Sequence, residues 1–318
     1  MNDLIKFIRT TNNKSELFIL EKIVKKGHII IDLSLNIDEN GKIKNDYKIE
    51  GLIKDASINF LNKANFKNIN FNFNFKKDNY FFNEINFKAE EVQFISKKIN
   101  IKKKKNSFLI NASVENDKSN LNSKILKLLN LNFENIVIDD AKFITNNEFS
   151  LEIDEKFKAK NFILSSDVNI TQLKYKKSKI INNYFPEVDD IILLNNHKLN
   201  LNYKDNNLSI NGEGQIQLNT DEIDEIKYLI NKKDKDLSIA SELFLKNIVI
   251  EQQDFLKIFF PQTNKNINFK NQKLKINFKN NEFTFSGSGK FKIGKDFEEI
   301  DYFIQKKENK VNFNSNLN

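Results

Sequence analysis

The side chains best suited to chemistry are sparse in this sequence and badly spaced for it. His28 and His197 stand alone, with no second histidine or glutamate at metal-binding spacing, so each is expected to be an ordinary strand or surface residue. The acidic neighbours Asp139-Asp140, Asp189-Asp190 and Glu298-Glu299 are adjacent in sequence. In a strand such neighbours point to opposite faces, which separates the carboxylates that a glycosidase would have to bring together. Gly212-Glu213-Gly214 lacks the third glycine and the following helix of a dinucleotide fingerprint. It recurs as Gly287-Ser288-Gly289, and the changed middle residue points to a backbone role. There is no cysteine, which excludes disulfides, thiolate metal sites and a thiol nucleophile. The expectation is a protein that is not an enzyme and uses no cofactor or metal.

The charge carries less information than its size suggests. The formal balance is +8, and among the basic residues only Arg9 is arginine. Asn fills 53 of the 318 positions, and the bias toward Lys, Asn, Ile, Phe and Tyr matches adenine- and thymine-rich codons. A chain nearly free of Arg lacks the residue suited to bidentate phosphate and guanine contacts, so no nucleic-acid partner is expected. Lys102-Lys103-Lys104-Lys105 is read as a solvated hairpin turn, with contact to phosphates or acidic headgroups as the alternative.

The elements that must position any site are strands. From Ile69 to Phe75, apolar residues alternate with Asn, the pattern of a strand with one buried and one wet face. The same period returns at 29–37, 85–94, 108–114, 136–143, 149–153, 199–210, 216–218, 267–269, 274–285 and 291–293, separated by Asn, Lys, Asp and Gly turns. Short helical patterns occupy 119–129, 177–185 and 252–260, with further pieces before residue 26; Pro186 and Pro261 close two of them. No run reaches the length of about eighteen apolar residues that a spanning helix needs, and the opening segment has no signal-peptide pattern.

An internal repeat organises the second half. Residues 197–218 run in register with 272–293, so that Gly212 matches Gly287 and Gly214 matches Gly289; after one deletion, 223–243 answers 297–317. The expected organisation is a helical lead-in over 1–26, diverged β repeats over 27–175, a repeat unit over 176–250 and a second copy, truncated at its end, over 251–318. Each unit has one apolar face and few helices to cover it. The expected fold is therefore mainly β: an elongated antiparallel sheet repeat forming a twisted groove or half-pipe, with a few short helices.

The segments Tyr184-Phe185-Pro186 and Phe259-Phe260-Pro261, each followed by a hairpin and a Gly-x-Gly pair, together with the strand GLIKDASINF at 51–60, resemble the AsmA-like proteins of the Gram-negative envelope. The resemblance covers 27–318. It implies repeating β-groove units similar to those of bridge-like lipid transfer proteins, held in the periplasm by an inner-membrane anchor and reaching toward the outer membrane. This chain has no such anchor, and is expected to be a piece of a longer one.

Phe71, Phe73, Phe75, Phe87, Phe269, Phe278 and Phe283 are the residues assigned to the apolar face and to contact with lipid. Pro186, Pro261, Gly212, Gly214, Gly287 and Gly289 are the structural markers of the repeat. Acyl chains need only a continuous apolar track, at about 0.8 kcal/mol per buried methylene, so passive conduction of phospholipid requires no catalytic group. The competing reading is a structural or adhesin-like β repeat with a packed interior, in which the same Phe rows are ordinary core.

Overall fold

The computed structural model describes residues 24–42, 48–60, 64–76, 78–128, 136–137, 141–154, 158–177, 188–219, 222–234, 236–251, 266–280, 282–292, 296–308 and 310–317, with 3, 6, 44 and 156. These residues form seventeen strands and one short helix, so the chain is mainly β, as its period-two pattern requires. It divides into two units, residues 1–132 with 143–166 and residues 133–142 with 167–318. The expected helices at 177–185 and 252–260, the helical lead-in, and the markers Pro186 and Pro261 lie outside the described residues, apart from isolated positions.

The first unit is a meander. Strands β1 (Val24–Ser34), β2 (Lys48–Phe60), β3 (Ala64–Lys76), β4 (Asn79–Ala89), β5 (Val92–Lys103) and β6 (Ser107–Asn120) each pair antiparallel with the next. The pattern over 85–94 resolves into two strands, because Glu90 and Glu91 both take positive φ, 46° and 72°, and close a tight hairpin. The helical pattern at 119–129 contracts to α1 (Ser123–Leu128), since β6 keeps Ser119 and Asn120 extended. Asn122 starts the helix: its Oδ1 accepts the backbone N–H groups of Lys124 and Ile125 at 3.1 and 3.0 Å.

The second unit holds β7 (Ile136–Val137), β9 (Ala159–Lys176) from Asp167 onward, and a longer meander. Its strands are β10 (Ile191–Lys204), β11 (Asn207–Asn219), β12 (Glu222–Lys233), β13 (Asp236–Glu251), β14 (Asn266–Lys279), β15 (Glu282–Lys292), β16 (Glu298–Lys307) and β17 (Lys310–Leu317). Consecutive members pair antiparallel throughout. The hairpin between β10 and β11 turns on Asp205 and Asn206, both left-handed at φ 50° and 61°. Strand β8 (Lys142–Asp154) pairs with β6.

The ladder makes the repeat concrete. In the first copy Leu199, Gly212, Tyr228 and Ser241 stand side by side across β10–β13. In the second, Leu274, Gly287, Tyr302 and Ser315 do the same across β14–β17. Where the copies meet, Ser241 faces Ile276 and Leu243 faces Leu274, so the second copy is displaced along the strands by two residues, about 7 Å. An even displacement keeps the apolar set on one face, whereas an odd one would turn it to the other.

A row of β-bulges bends these sheets. Asp55, Asn68, Glu84, Asn196 and Asn271 sit inside strands with φ near +50°, and the pairing slips beside each of them, in β2, β3, β4, β10 and β14. Each is followed by a buried residue: Ala56, Ile69, Ile85, His197 and Gln272. The inserted residue resets the alternation, so apolar positions are odd on one side of the bulge and even on the other while the face stays the same. In β3 the face passes from Phe66 to Ile69, Phe71, Phe73 and Phe75. Bulges bend a strand and tighten its twist, and in β2, β3 and β4 they lie side by side, which curves the sheet into the expected groove-type form.

Candidate functional site

In the first unit the alternation builds cross-strand rows. Leu33, Ile49, Phe75, Tyr80, Ile101 and Ile110 form one, and Ile31, Gly51, Phe73, Phe82, Ile99 and Ala112 form the next. Their rings touch: Phe71 and Phe82 lie 5.4 Å apart, Phe75 and Tyr80 5.3 Å, and Phe75 and Phe82 5.6 Å, all edge to face. Beyond the bulges Phe87 stacks on Phe94 at 5.5 Å and meets the edge of Phe66. Such pairs contribute about 1 kcal/mol each beyond burial.

The second unit repeats the arrangement. Leu201, Ile210, Ile230, Ile239, Phe278 and Phe283 make a six-strand row, and beside it run Leu199, Gly212, Tyr228, Ser241, Ile276, Phe285, Ile304 and Phe313. Phe269 lies past the bulge, paired with Phe291 and Ile248.

Degree of burial separates these residues into floor and surface. Phe73 is buried at 5% exposure, with its ring against those of Phe71 and Phe75, so it belongs to the floor. Phe71, Phe75, Phe87, Phe269, Phe278 and Phe283 are half-buried, as are Tyr80, Phe82, Ile99, Ile101, Ile276 and Phe285. Side chains covered by a second layer would fall to full burial; these remain accessible on an otherwise continuous apolar face.

The opposite face is polar. Asp32, Glu50, Asn74, Phe81, Asn100 and Asn111 form one of its rows. Asn70 bonds to Asn86 at 3.0 Å and Asn72 to Glu84 at 2.7 Å, linking strands on that side. Aromatics and cations are thus segregated, apart from contacts such as Lys98 over Phe81. A shallow depression of about 420 Å³ on the polar side is lined by Lys98, Asn100, Asn111, Ser113, Glu148 and Ser150, with Ile163 among its apolar members. The Lys102–Lys105 run ends β5 and enters the next turn, where Lys104 pairs with Glu152 at 3.1 Å.

The Gly-x-Gly pairs have a specific task, and sequence reading located it only in part. The bulges lie on the partner strands β10 and β14, while the glycines make room for large side chains. A Cβ on Gly212 or Gly287 would stand 2.4 or 2.2 Å from the ring of Tyr228 or Tyr302. One on Gly214 or Gly289 would strike the side chain of His197 or Gln272 at 2.5 or 2.2 Å. Each repeat therefore carries a small buried polar cluster of a bulge-borne side chain and a tyrosine. Gln272 donates through Nε2 to the carbonyls of Lys270 and Lys290 at 3.2 and 3.0 Å, and its Oε1 accepts the Tyr302 hydroxyl at 3.0 Å. His197 occupies the equivalent place: Nε2 lies 3.1 Å from the carbonyl of Gln215, and Nδ1 lies 3.3 Å from the Tyr228 hydroxyl. A carbonyl only accepts, so Nε2 bears the proton and Nδ1 accepts from Tyr228, the arrangement of a neutral imidazole.

Burial pushes the His197 pKa below its ordinary value, against the smaller effect of the hydrogen bond to Gln215. The unfolded chain therefore takes up a proton near pH 6.5 that the folded chain refuses. The His197 contribution is unaffected above that value and turns against folding as pH falls through it toward the lower folded pKa. Urea midpoints measured between about pH 8 and 5 should decline on this account, and His197→Gln, which installs the residue used by the sister repeat, should flatten that limb. An unchanged pH profile in the variant would show that His197 does not control it. Burial also pushes Tyr302 up to about 12 from 10.0, so its contribution is full below pH 10 and is lost as pH rises through 12.

His28 is exposed, and Glu298 and Glu299 are both exposed. Asp190 reaches Lys177 at 3.5 Å, and Asp139 and Asp140 lie outside the described residues. Among the described residues no cluster of three potential metal ligands occurs, and no helix is long and apolar enough to cross a membrane. The sequence marker missed entirely was the Asn-His or Asn-Gln pair at the bulge. Its signal was legible as a polar dipeptide interrupting the alternation at the same point of both copies. No family model, curated protein or solved structure matches this chain.

Proposed function

We propose that the apolar face binds the acyl chains of phospholipids and lets them slide along it, as part of a lipid path between the inner and outer membranes. The supporting observation is the pair of adjacent cross-strand apolar rows in each unit, most of whose large side chains are half-buried, with no charged side chain interrupting them from Ile49 to Ile110 or from Leu201 to Phe283. A chain of methylenes laid on such rows gains about 0.8 kcal/mol for each one removed from water, without needing a specific partner. Headgroups remain in solvent, and the direction of movement comes from a gradient maintained elsewhere. In this reading the protein works in the periplasm, and contact with the membranes is made by other parts of a longer chain.

The test is lipid retention. Protein expressed in a Gram-negative host and purified free of detergent should carry phospholipid detectable by native mass spectrometry and by extraction. Phe75→Asp combined with Phe278→Asp should remove at least nine-tenths of it, while Asn277→Asp on the opposite face of β14 should leave it in place. Phe75 and Phe278 suit the experiment because they are half-buried; a charge at Phe73 would be placed inside the packed floor. Folded wild-type protein that carries no lipid and takes none up from vesicles would overturn the proposal in favour of a packed structural repeat.

A further inference from the structure

The polar face of the first unit carries a depression of about 420 Å³ that lipid binding leaves unused. Four strands build it. Asn100 of β5 stands opposite Asn111 of β6. The Ser107 hydroxyl of β6 donates to Glu152 of β8, and Asn147 of β8 donates to the carbonyl of Val114, so β8 runs antiparallel to β6 and brings Glu148 beside Asn111 and Ser113. Ser166 of β9 in turn donates to Asn147, and Asn161 to Glu152, which sets Ser165 beside Glu148. Asn100, Asn111, Glu148 and Ser165 therefore form one row across the sheet, and all four line the depression. Strand spacing repeats them at about 4.8 Å, close to the advance of one ring in an extended pyranose chain.

The lining is made largely of neutral hydrogen-bonding groups. Amides come from Asn100 and Asn111, hydroxyls from Ser113, Ser150 and Ser165, and one charge of each sign from Lys98 and Glu148. Opposed charges leave no net field to draw in a phosphate or an acidic partner, whereas amides, hydroxyls and a carboxylate offer both donors and acceptors to the vicinal hydroxyls of a sugar. Asn100 Oδ1 is buried with no hydrogen-bond donor among the described residues, so the wall holds an acceptor that a ligand hydroxyl can satisfy. Apolar surface is present for the C–H face of a pyranose. Ile163 is 40% exposed in the lining, and Phe81, half-buried on this otherwise polar row, pairs with Asn100 at the margin. We propose that this depression binds a short, extended oligosaccharide of β-1,4-linked pyranose units, laid along the row from Asn100 to Ser165. Asn100 alternates with Ile99 and Ile101 of the apolar rows, so the site lies on the opposite face and the inference is independent of lipid binding.

Isothermal titration calorimetry of the full chain should show binding of at least one of cellotetraose and chitotetraose, with maltotetraose, whose α-linked chain curls, about tenfold weaker. Asn111→Leu combined with Glu148→Leu should weaken the binding about tenfold, because two partners of the sugar hydroxyls are lost. Both side chains are exposed, so the double variant should keep the wild-type circular dichroism spectrum. Asn277→Leu, an equivalent exchange on the polar face of β14, should leave the affinity unchanged. Amide shifts induced by the bound sugar in wild-type protein should cluster in β5, β6, β8 and β9, a readout that needs no variant. No binding of any of the three sugars, equal binding of maltotetraose, full affinity in the folded double variant, or amide shifts centred elsewhere would each overturn the proposal.

Discussion

Gly51→Ala should lower the unfolding free energy by about 3 kcal/mol, toward the upper end of what overpacking costs. A Cβ built on Gly51 lies 2.1 Å from the backbone oxygen of Ile30 and 2.7 Å from the ring of Phe73. A flexible side chain could rotate away, but the Ile30 oxygen belongs to the β1 backbone, and Phe73 is held between Phe71 and Phe75 on the floor of the apolar face. Relief therefore means moving β1 away from β2 around the Ile31–Gly51 pair. The urea midpoint should fall, and the amides of β1 should lose protection against hydrogen exchange well before those of β4 and β5. A variant within 1 kcal/mol of wild type would show that the ladder relaxes there at little cost.

Gln272→Leu should be comparably damaging for a different reason. Gln272 is 1% exposed and makes three hydrogen bonds, two to carbonyls and one from the Tyr302 hydroxyl. Leucine fills a similar volume and satisfies none of them. The expected cost is about 3 kcal/mol, since each buried polar group deprived of its partner costs about 1–3 kcal/mol. Tyr302→Phe in the Gln272→Leu background should then cost much less than in wild type, because the hydroxyl it removes is already without its partner. Urea titration of the four proteins gives the coupling directly. Additive losses would mean that the Gln272–Tyr302 bond contributes nothing measurable.

These two positions mark where sequence reading succeeds and where it stops. Gly51 falls inside a clear strand pattern, yet nothing in the sequence says which neighbouring backbone will approach it. Gln272 breaks the alternation of β14 and would be assigned to the wet face by counting residues, but the bulge at Asn271 turns it inward. The same inversion hides the continuity of Phe269 with Phe278 and of Phe66 with Phe75. The seven candidate phenylalanines were legible because each lies on one side or the other of a bulge, where period two holds locally. Phe73 was indistinguishable from Phe71 and Phe75 by pattern, and only packing made it floor.

By itself the sequence determined the fold class, the antiparallel hairpins and the four-strand repeat, because these depend on periodicity and turn residues that act over a few positions. Strand alternation, left-handed Asp and Asn at turns and the matched Gly-x-Gly pairs are local rules, and the chain obeys them. The tertiary structure decided the bulges that hold the apolar residues to one face, the two-residue displacement between copies and the partners of the buried His197 and Gln272. Each of these depends on register between strands, and register is set by how side chains on neighbouring strands meet, which no single strand encodes alone.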